Sequence, residues 1–222
     1  MNSEKPLQFP TEYALDHLVI AAANLKQGID YVTNLLGIPP QSGGQHLRMG
    51  THNALLSMGP SCYLEVISID PSLPDPERSR WFGLDQQETQ QRLDSSPFLL
   101  HWVARTTDIY TAKEIAPQMF GEVIPMSRNQ LDWLISVPED GSLHGEGTVP
   151  SLIQWQTQTL PSTQLPDHGL RLDLLEISSP TPETIQLVLE QMNLTTDISV
   201  HSGDKPSLSA TIKTPTGTKI LK

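Results

Sequence analysis

The sequence predicts an α+β fold built from repeats of one strand–helix–strands unit. Three observations predict it. A short apolar run with histidine at its third position, Leu15-Asp16-His17-Leu18-Val19-Ile20, returns 84 positions later as Leu99-Leu100-His101-Trp102-Val103-Ala104. Each run is followed by polar residues and then by apolar residues at helical spacing. Each copy then offers a second polar side chain in a late strand. In the first copy this is Glu65, 48 positions after His17; in the second it is Gln154, 53 after His101.

Taken in order, residues 1–10 read as a loose arm. Tyr13 to Ile20 is a strand, with Leu15, His17 and Val19 on one face and Asp16, Leu18 and Ile20 on the other. On that parity Asp16 points away from His17 unless the strand is bulged. Asn24 caps a helix through Leu25, Ile29, Val32 and Leu36, and Gly37 ends it. Pro39-Pro40 and Gly43-Gly44 read as a loop. Two strands follow, near Asn53–Met58 and Cys62–Ile69. Residues 71–97 are proline-rich and polar and read as an insertion, with a short helix over Asp85–Leu93 and with Trp81 and Phe82 anchoring it.

The second unit, residues 98–156, repeats the order. A strand from Phe98 leads to a helix capped by Asp108, then to strands near Glu122–Pro125, Leu131–Val137 and Ser151–Gln156. A glycine-containing loop around His144 lies before the last strand. After a polar linker the pattern starts a third time over residues 169–222. Its helix opens at Thr181-Pro182-Glu183, with proline at the first position. Matching Ile20 with Ile177 puts Leu174 where His17 stood, so the third copy lacks the histidine and reads as a structural half-repeat.

Composition narrows the function classes. The chain has 222 residues, 37% of them hydrophobic, and a formal net charge of −11. A chain this acidic repels phosphate backbones, which argues against nucleic acid as a partner. No apolar run is long enough to span a bilayer, and residues 1–6 lack the order of a secretory signal. Cys62 is the sole cysteine, so no internal disulfide and no thiolate metal cage can form. A cytoplasmic location is the default reading.

Four stretches carry a resemblance: Leu15-Asp16-His17-Leu18-Val19, Gly50-Thr51-His52-Asn53-Ala54-Leu55-Leu56, Tyr63-Leu64-Glu65-Val66-Ile67 and Pro150-Ser151-Leu152-Ile153-Gln154-Trp155. In order and spacing they resemble the vicinal oxygen chelate superfamily, and within it the glyoxalase-like proteins. The resemblance implies tandem βαβββ modules over residues 11–70 and 98–156, whose strands curl into a cup-shaped mixed sheet. The third C-terminal half-module is then an extra segment. It implies a divalent metal (Zn, Ni, Co, Fe or Mn) held by His17, Glu65, His101 and Gln154. It also implies a small oxygenated substrate. The cup is closed within one chain or between two copies of a homodimer, and the equal treatment of both modules favours one chain.

Two imidazoles, a carboxylate and an amide oxygen suit such an ion. With open positions the ion would chelate two substrate oxygens and stabilise an enolate, which is lyase or isomerase chemistry. Glu65, the one carboxylate of the four, is the candidate proton shuttle. His52, Arg128 and His144 are the candidate substrate-binding residues. The bland reading of His17 and His101 is a core residue with a satisfied hydrogen bond, that of His52 a turn hydrogen bond, that of His144 a solvated loop histidine, and that of Arg128 a surface pair with Asp132. The alternative function is metal-free capture of a small molecule in an aromatic-lined cup. An extradiol-type dioxygenase fits less well, because Gln154 stands where that pattern needs glutamate.

Overall fold

The computed structural model describes residues 12–157 and 159–222; the arm expected over residues 1–10 lies outside them. The first module runs β1 (Tyr13–Ala21), α1 (Leu25–Leu36), β2 (Gln41–His46), β3 (Thr51–Ser57) and β4 (Tyr63–Ile69). The insertion carries α2 (Gln87–Leu93). The second module runs β5 (Phe98–Thr106), α3 (Ile109–Lys113), β6 (Glu122–Arg128), β7 (Leu131–Val137) and β8 (Ser151–Trp155). After α4 (Pro161–Gln164) come β9 (Arg171–Ser179), α5 (Pro182–Gln191), β10 (Ile198–Ser202), β11 (Ser207–Thr214) and β12 (Gly217–Leu221).

Both modules join one curled eight-stranded sheet of order β2-β3-β4-β1-β5-β8-β7-β6. The two first strands lie antiparallel at its centre, and each pairs parallel with the last strand of its own module. The sheet is thus built symmetrically within a single chain. Its two edges curl toward each other: Arg48, just past β2, donates to the Pro125 carbonyl of β6 at 2.9 Å.

Strand alternation sorts the side chains into two cores. Leu18, Ile20, Leu64, Val66 and Leu152 pack on the convex face beneath α1 and α3. Helix α1 lies close there. A Cβ on Gly28 would stand 2.4 Å from Val66 Cγ1, so only glycine permits that approach. The capping residues act as expected. Asn24 Oδ1 accepts from Gln27 N–H at 2.9 Å, Asp108 caps α3, and Gly37 turns left-handed at φ 80°.

The concave face is filled by Val19, Ile67, Val103, Trp133 and Ile135 together with Trp81, Phe82 and Leu84 of the insertion. Arg80 pins that segment through ion pairs to Asp75 and Asp85 at 2.7 and 2.8 Å. Phe82 takes φ 58°. A left-handed non-glycine residue costs roughly 1–2 kcal/mol; burying its ring returns a similar amount or more, about 1.5–3 kcal/mol.

One expected loop is a strand. Gln41–His46 pairs with β3 as the edge of the sheet, and its two glycines hide the alternation that would have marked it. The third unit repeats the order strand, helix, three strands but builds its own sheet, β10-β9-β11-β12. Here β9 takes the strand after its helix as parallel partner, not the last strand. This sheet shares the convex-face core, and Lys222 accepts a hydrogen bond from Leu99 N–H at 2.9 Å. Among the described residues no helix is long and apolar enough to cross a membrane.

Candidate functional site

The site lies on the concave face where β1, β4 and β3 meet. A bulge in β1 creates it. The pairing of β1 with β5 slips between Leu15 and His17, so Asp16 is the extra residue and stays beside His17. Asp16 Oδ1 lies 2.7 Å from His17 Nδ1. Its Oδ2 accepts from Trp155 Nε1–H at 2.9 Å and lies 3.6 Å from Arg105 Nη1. The expectation that Asp16 faces away from His17 is corrected by this bulge.

With Nδ1–H given to Asp16, the lone pair of His17 sits on Nε2. That atom is 3.6 Å from Glu65 Oε2. The other oxygen, Glu65 Oε1, accepts from Asn53 Nδ2–H at 2.5 Å. Tyr63 stacks on the His17 ring at 4.6 Å. Burial, then Asp16 and Glu65, hold the Tyr63 phenol well above its ordinary pKa, so it stays a neutral donor.

Beside these lies His46. Its Nδ1 is 3.1 Å from Thr51 Oγ1, and its Nε2 is 3.3 Å from Arg128 Nη1. Burial and the Arg128 charge hold His46 well below its ordinary pKa, which makes it a neutral acceptor for the guanidinium. His17, Tyr63, Glu65, His46 and Arg128 all line one small cavity of about 20 Å³, room for about one water molecule. Its other walls are Trp81, Phe82, Trp133 and Trp155, with Ile135 and Ile153.

The four expected metal ligands do not meet. His17 and Glu65 face each other. His101 is buried on the same face, but its Nε2 accepts from Ser151 N–H at 3.1 Å while Nδ1 donates to the Gly147 carbonyl at 3.2 Å. Burial lowers its pKa to about 3, so it is a neutral, doubly hydrogen-bonded ring. Gln154 lies on the convex face, where its Oε1 accepts from Ile109 N–H at 2.9 Å at the start of α3. Sheet register explains the difference. Val19, two residues past His17, pairs with Glu65; Val103, two past His101, pairs with Ser151. The counterpart of Glu65 is therefore Ser151, whose Oγ lies 3.0 Å from His101 Nε2. The second module keeps the histidine and replaces the carboxylate by a hydroxyl.

The four-ligand chelate thus does not fit these side chains: two of its donors are committed to backbone N–H groups. Among the described residues no group of three or more His, Cys, Asp or Glu could hold a metal ion.

Of the expected substrate-binding residues, Arg128 lines the cavity and is 7% exposed, whereas Asp132 is exposed and makes no ion pair with it. His52 shares the convex parity of Ala54 and Leu56, and its Nδ1 lies 3.3 Å from Asp70 Oδ2. His144 sits half-buried in the turn at 144–147, its pKa lowered by burial, and does not line the cavity. Sequence reasoning missed Asn53, His46 and Tyr63. Tyr63 and Asn53 share the strand parity of Glu65 and are accessible to that logic; His46 is not, because the two glycines of β2 hide its alternation.

A family model described as a glyoxalase-like domain matches residues 15–192. Among solved structures, a hypothetical protein from Staphylococcus aureus is similar with TM-score 0.56 and 14% identity, over 89% of this chain and 88% of that one. A likeness at that identity shows the fold. A methylmalonyl-CoA epimerase variant from Streptomyces coelicolor gives TM-score 0.41 and 15% identity, over 64% of this chain and 97% of that one. So low a score says nothing of the chemistry here. No curated protein matches.

Proposed function

The chain belongs to the glyoxalase-like domain family, and from that premise we propose that it is an isomerase or lyase that moves a proton at a carbon next to an oxygenated carbon of a small molecule. The observation that carries this reading is the line Asp16–His17–Glu65–Asn53, whose two central members, His17 and Glu65, line the small cavity. Asp16 fixes the ring so that Nε2, not Nδ1, faces the cavity. Glu65 is held by Asn53 at Oε1, which leaves Oε2 facing the imidazole at 3.6 Å. Two proton acceptors, one of them backed by a second carboxylate, then stand side by side on one wall.

His17 Nε2, backed by Asp16, takes the proton from carbon and becomes an imidazolium; that same proton, or a solvent proton exchanged for it, is then returned to the substrate from Nε2 or through the neighbouring Glu65 carboxylate. Charge then develops on the neighbouring oxygen. Tyr63, kept neutral by burial, is a donor beside that position, and water exclusion by Trp81 and Phe82 strengthens its effect. His101 and Ser151 fix the backbone behind the site and take no proton in this scheme.

The test is solvent-deuterium exchange followed by NMR on a panel of 2-oxo acids, 2-hydroxy acids and neutral hydroxy ketones. The expected result is enzyme-dependent exchange beside the carbonyl, slowed by roughly 10²–10⁴ in His17→Asn or Glu65→Gln. Exchange at the enzyme-free rate across the panel, or unaltered exchange in both variants, overturns it. A second reading, non-catalytic capture of a small molecule, is favoured by the aromatic walls Trp81, Phe82, Trp133 and Trp155. It predicts binding without exchange.

A further inference from the structure

Among the described residues Arg128 is a buried cation without a counter-ion. Its side chain is almost wholly enclosed, yet it forms no ion pair with any carboxylate among the described residues. Its one polar contact in the site is to a neutral imidazole, His46 Nε2 at 3.3 Å, and its Nε has no hydrogen-bond partner. Burying a charge on those terms is costly, and proteins normally pair it. A second donor in the same wall is also orphaned: Trp81 Nε1 is buried and unpartnered. Two unpaired donors around one cavity point to an acceptor that arrives from outside.

The place it arrives from is next door. Arg128 also lines a larger cavity of about 460 Å³ between β2 and the β6–β7 turn, closed on its far side by α4. This outer cavity is walled by neutral polar groups, including Gln41, Asn129, Gln130 and Gln164, and Arg128 is its only charged lining residue among those described. The edge strand permits this. A Cβ on Gly44 would stand 3.0 Å from Arg128 Cδ, so glycine lets the guanidinium stem lie against the backbone.

We propose that the site takes a monocarboxylic acid, entering through the outer cavity, with its carboxylate on Arg128 and its nearest hydrogen-bearing carbon presented to His17 and Glu65. This rests on the proton-transfer reading for what happens next, but not for the binding itself. One guanidinium with no second cation matches a single negative charge, and its planar fork matches a carboxylate. A phosphate dianion would meet half the charge it needs. The inner cavity admits only a small reacting end, while the amide-lined outer cavity holds a polar tail.

The experiment measures binding of pyruvate, lactate and 2-oxobutyrate, each against its neutral methyl ester and against inorganic phosphate, by ligand-observed NMR. The acids are expected to bind roughly 10- to 100-fold more tightly than the esters, and Arg128→Met is expected to abolish that preference. Glu65→Gln should keep acid binding while losing exchange, which separates this proposal from the proton-transfer reading. A second readout guards against misfolding. Removing an unpaired buried charge should raise the ligand-free melting temperature of Arg128→Met, by about 2–4 °C. If Arg128 is merely structural, that temperature falls. Equal binding of acid and ester, preference for phosphate, no binding of any acid, or a destabilised Arg128→Met each overturns the proposal.

Discussion

Lowering the pH from 7 to 5 should destabilise this protein through its buried histidines, and His101→Gln should remove about 2 kcal/mol of that loss. In the folded chain His101 titrates near 3 because burial disfavours the imidazolium. In the unfolded chain it titrates near 6.5. A histidine whose folded pKa is depressed is protonated first in the unfolded state, so stability falls as pH drops below about 6.5. Between pH 7 and 5 the folded ring stays neutral while the unfolded one goes from about a quarter protonated to almost fully protonated. The linkage relation gives about 2 kcal/mol for that step. His46, held low by burial and by Arg128, contributes a loss of the same sign. Asp70 and Asp167, held near 2 by Ser72 and by Arg171, lose their contribution only below about pH 4 and do not confuse the window. Glutamine can still donate to Gly147 O and accept from Ser151 N–H, at a cost of roughly 1–3 kcal/mol at pH 7. Urea unfolding followed by tryptophan fluorescence at the two pH values reads the difference. If the variant loses as much stability between pH 7 and 5 as the parent, burial does not hold His101 neutral in the folded chain.

Two further substitutions divide the site from its scaffold. Gly43→Ala places a Cβ 2.1 Å from Asn53 Oδ1, so the amide must leave Glu65; deuterium exchange should fall at least tenfold while far-UV circular dichroism is unchanged, and full exchange would show that Asn53 does not hold the carboxylate. Gln154→Ala removes the acceptor of Ile109 N–H and should cost about 1 kcal/mol in urea unfolding with no effect on exchange; a loss of exchange without a loss of stability would return Gln154 to the site.

What was legible in the sequence follows from local periodicity. The duplicated histidine strand, the capped helices at Asn24 and Asp108, and the pairing of His17 with Glu65 on one face all rest on alternation within single strands. Gln154 shows the limit of that logic. Leu152 and Gln154 alternate with Ile153 and Trp155, both sets are apolar enough for either core, and nothing local says which faces inward. Tertiary pairing decides it, by setting Ser151 opposite Val103.

Strand pairing also overrode the sequence at two bulges. The extra residue at Asp16 turned an outward carboxylate into the partner of His17. The slip between Val19 and Ile20 set Leu100 on the concave core and Leu99 on the convex one. A bulge is a property of two strands in register, so one strand read alone cannot announce it. The meeting of Arg128 with His46, 82 residues apart, depends on the curl that brings the sheet's edges together. The chain's own order therefore determined which residues could form strands and which pairs could share a face. Which face became the inside, and which cation was left there unpaired, was decided only when the sheet closed on itself, because register and curvature are set by contacts between segments far apart in sequence.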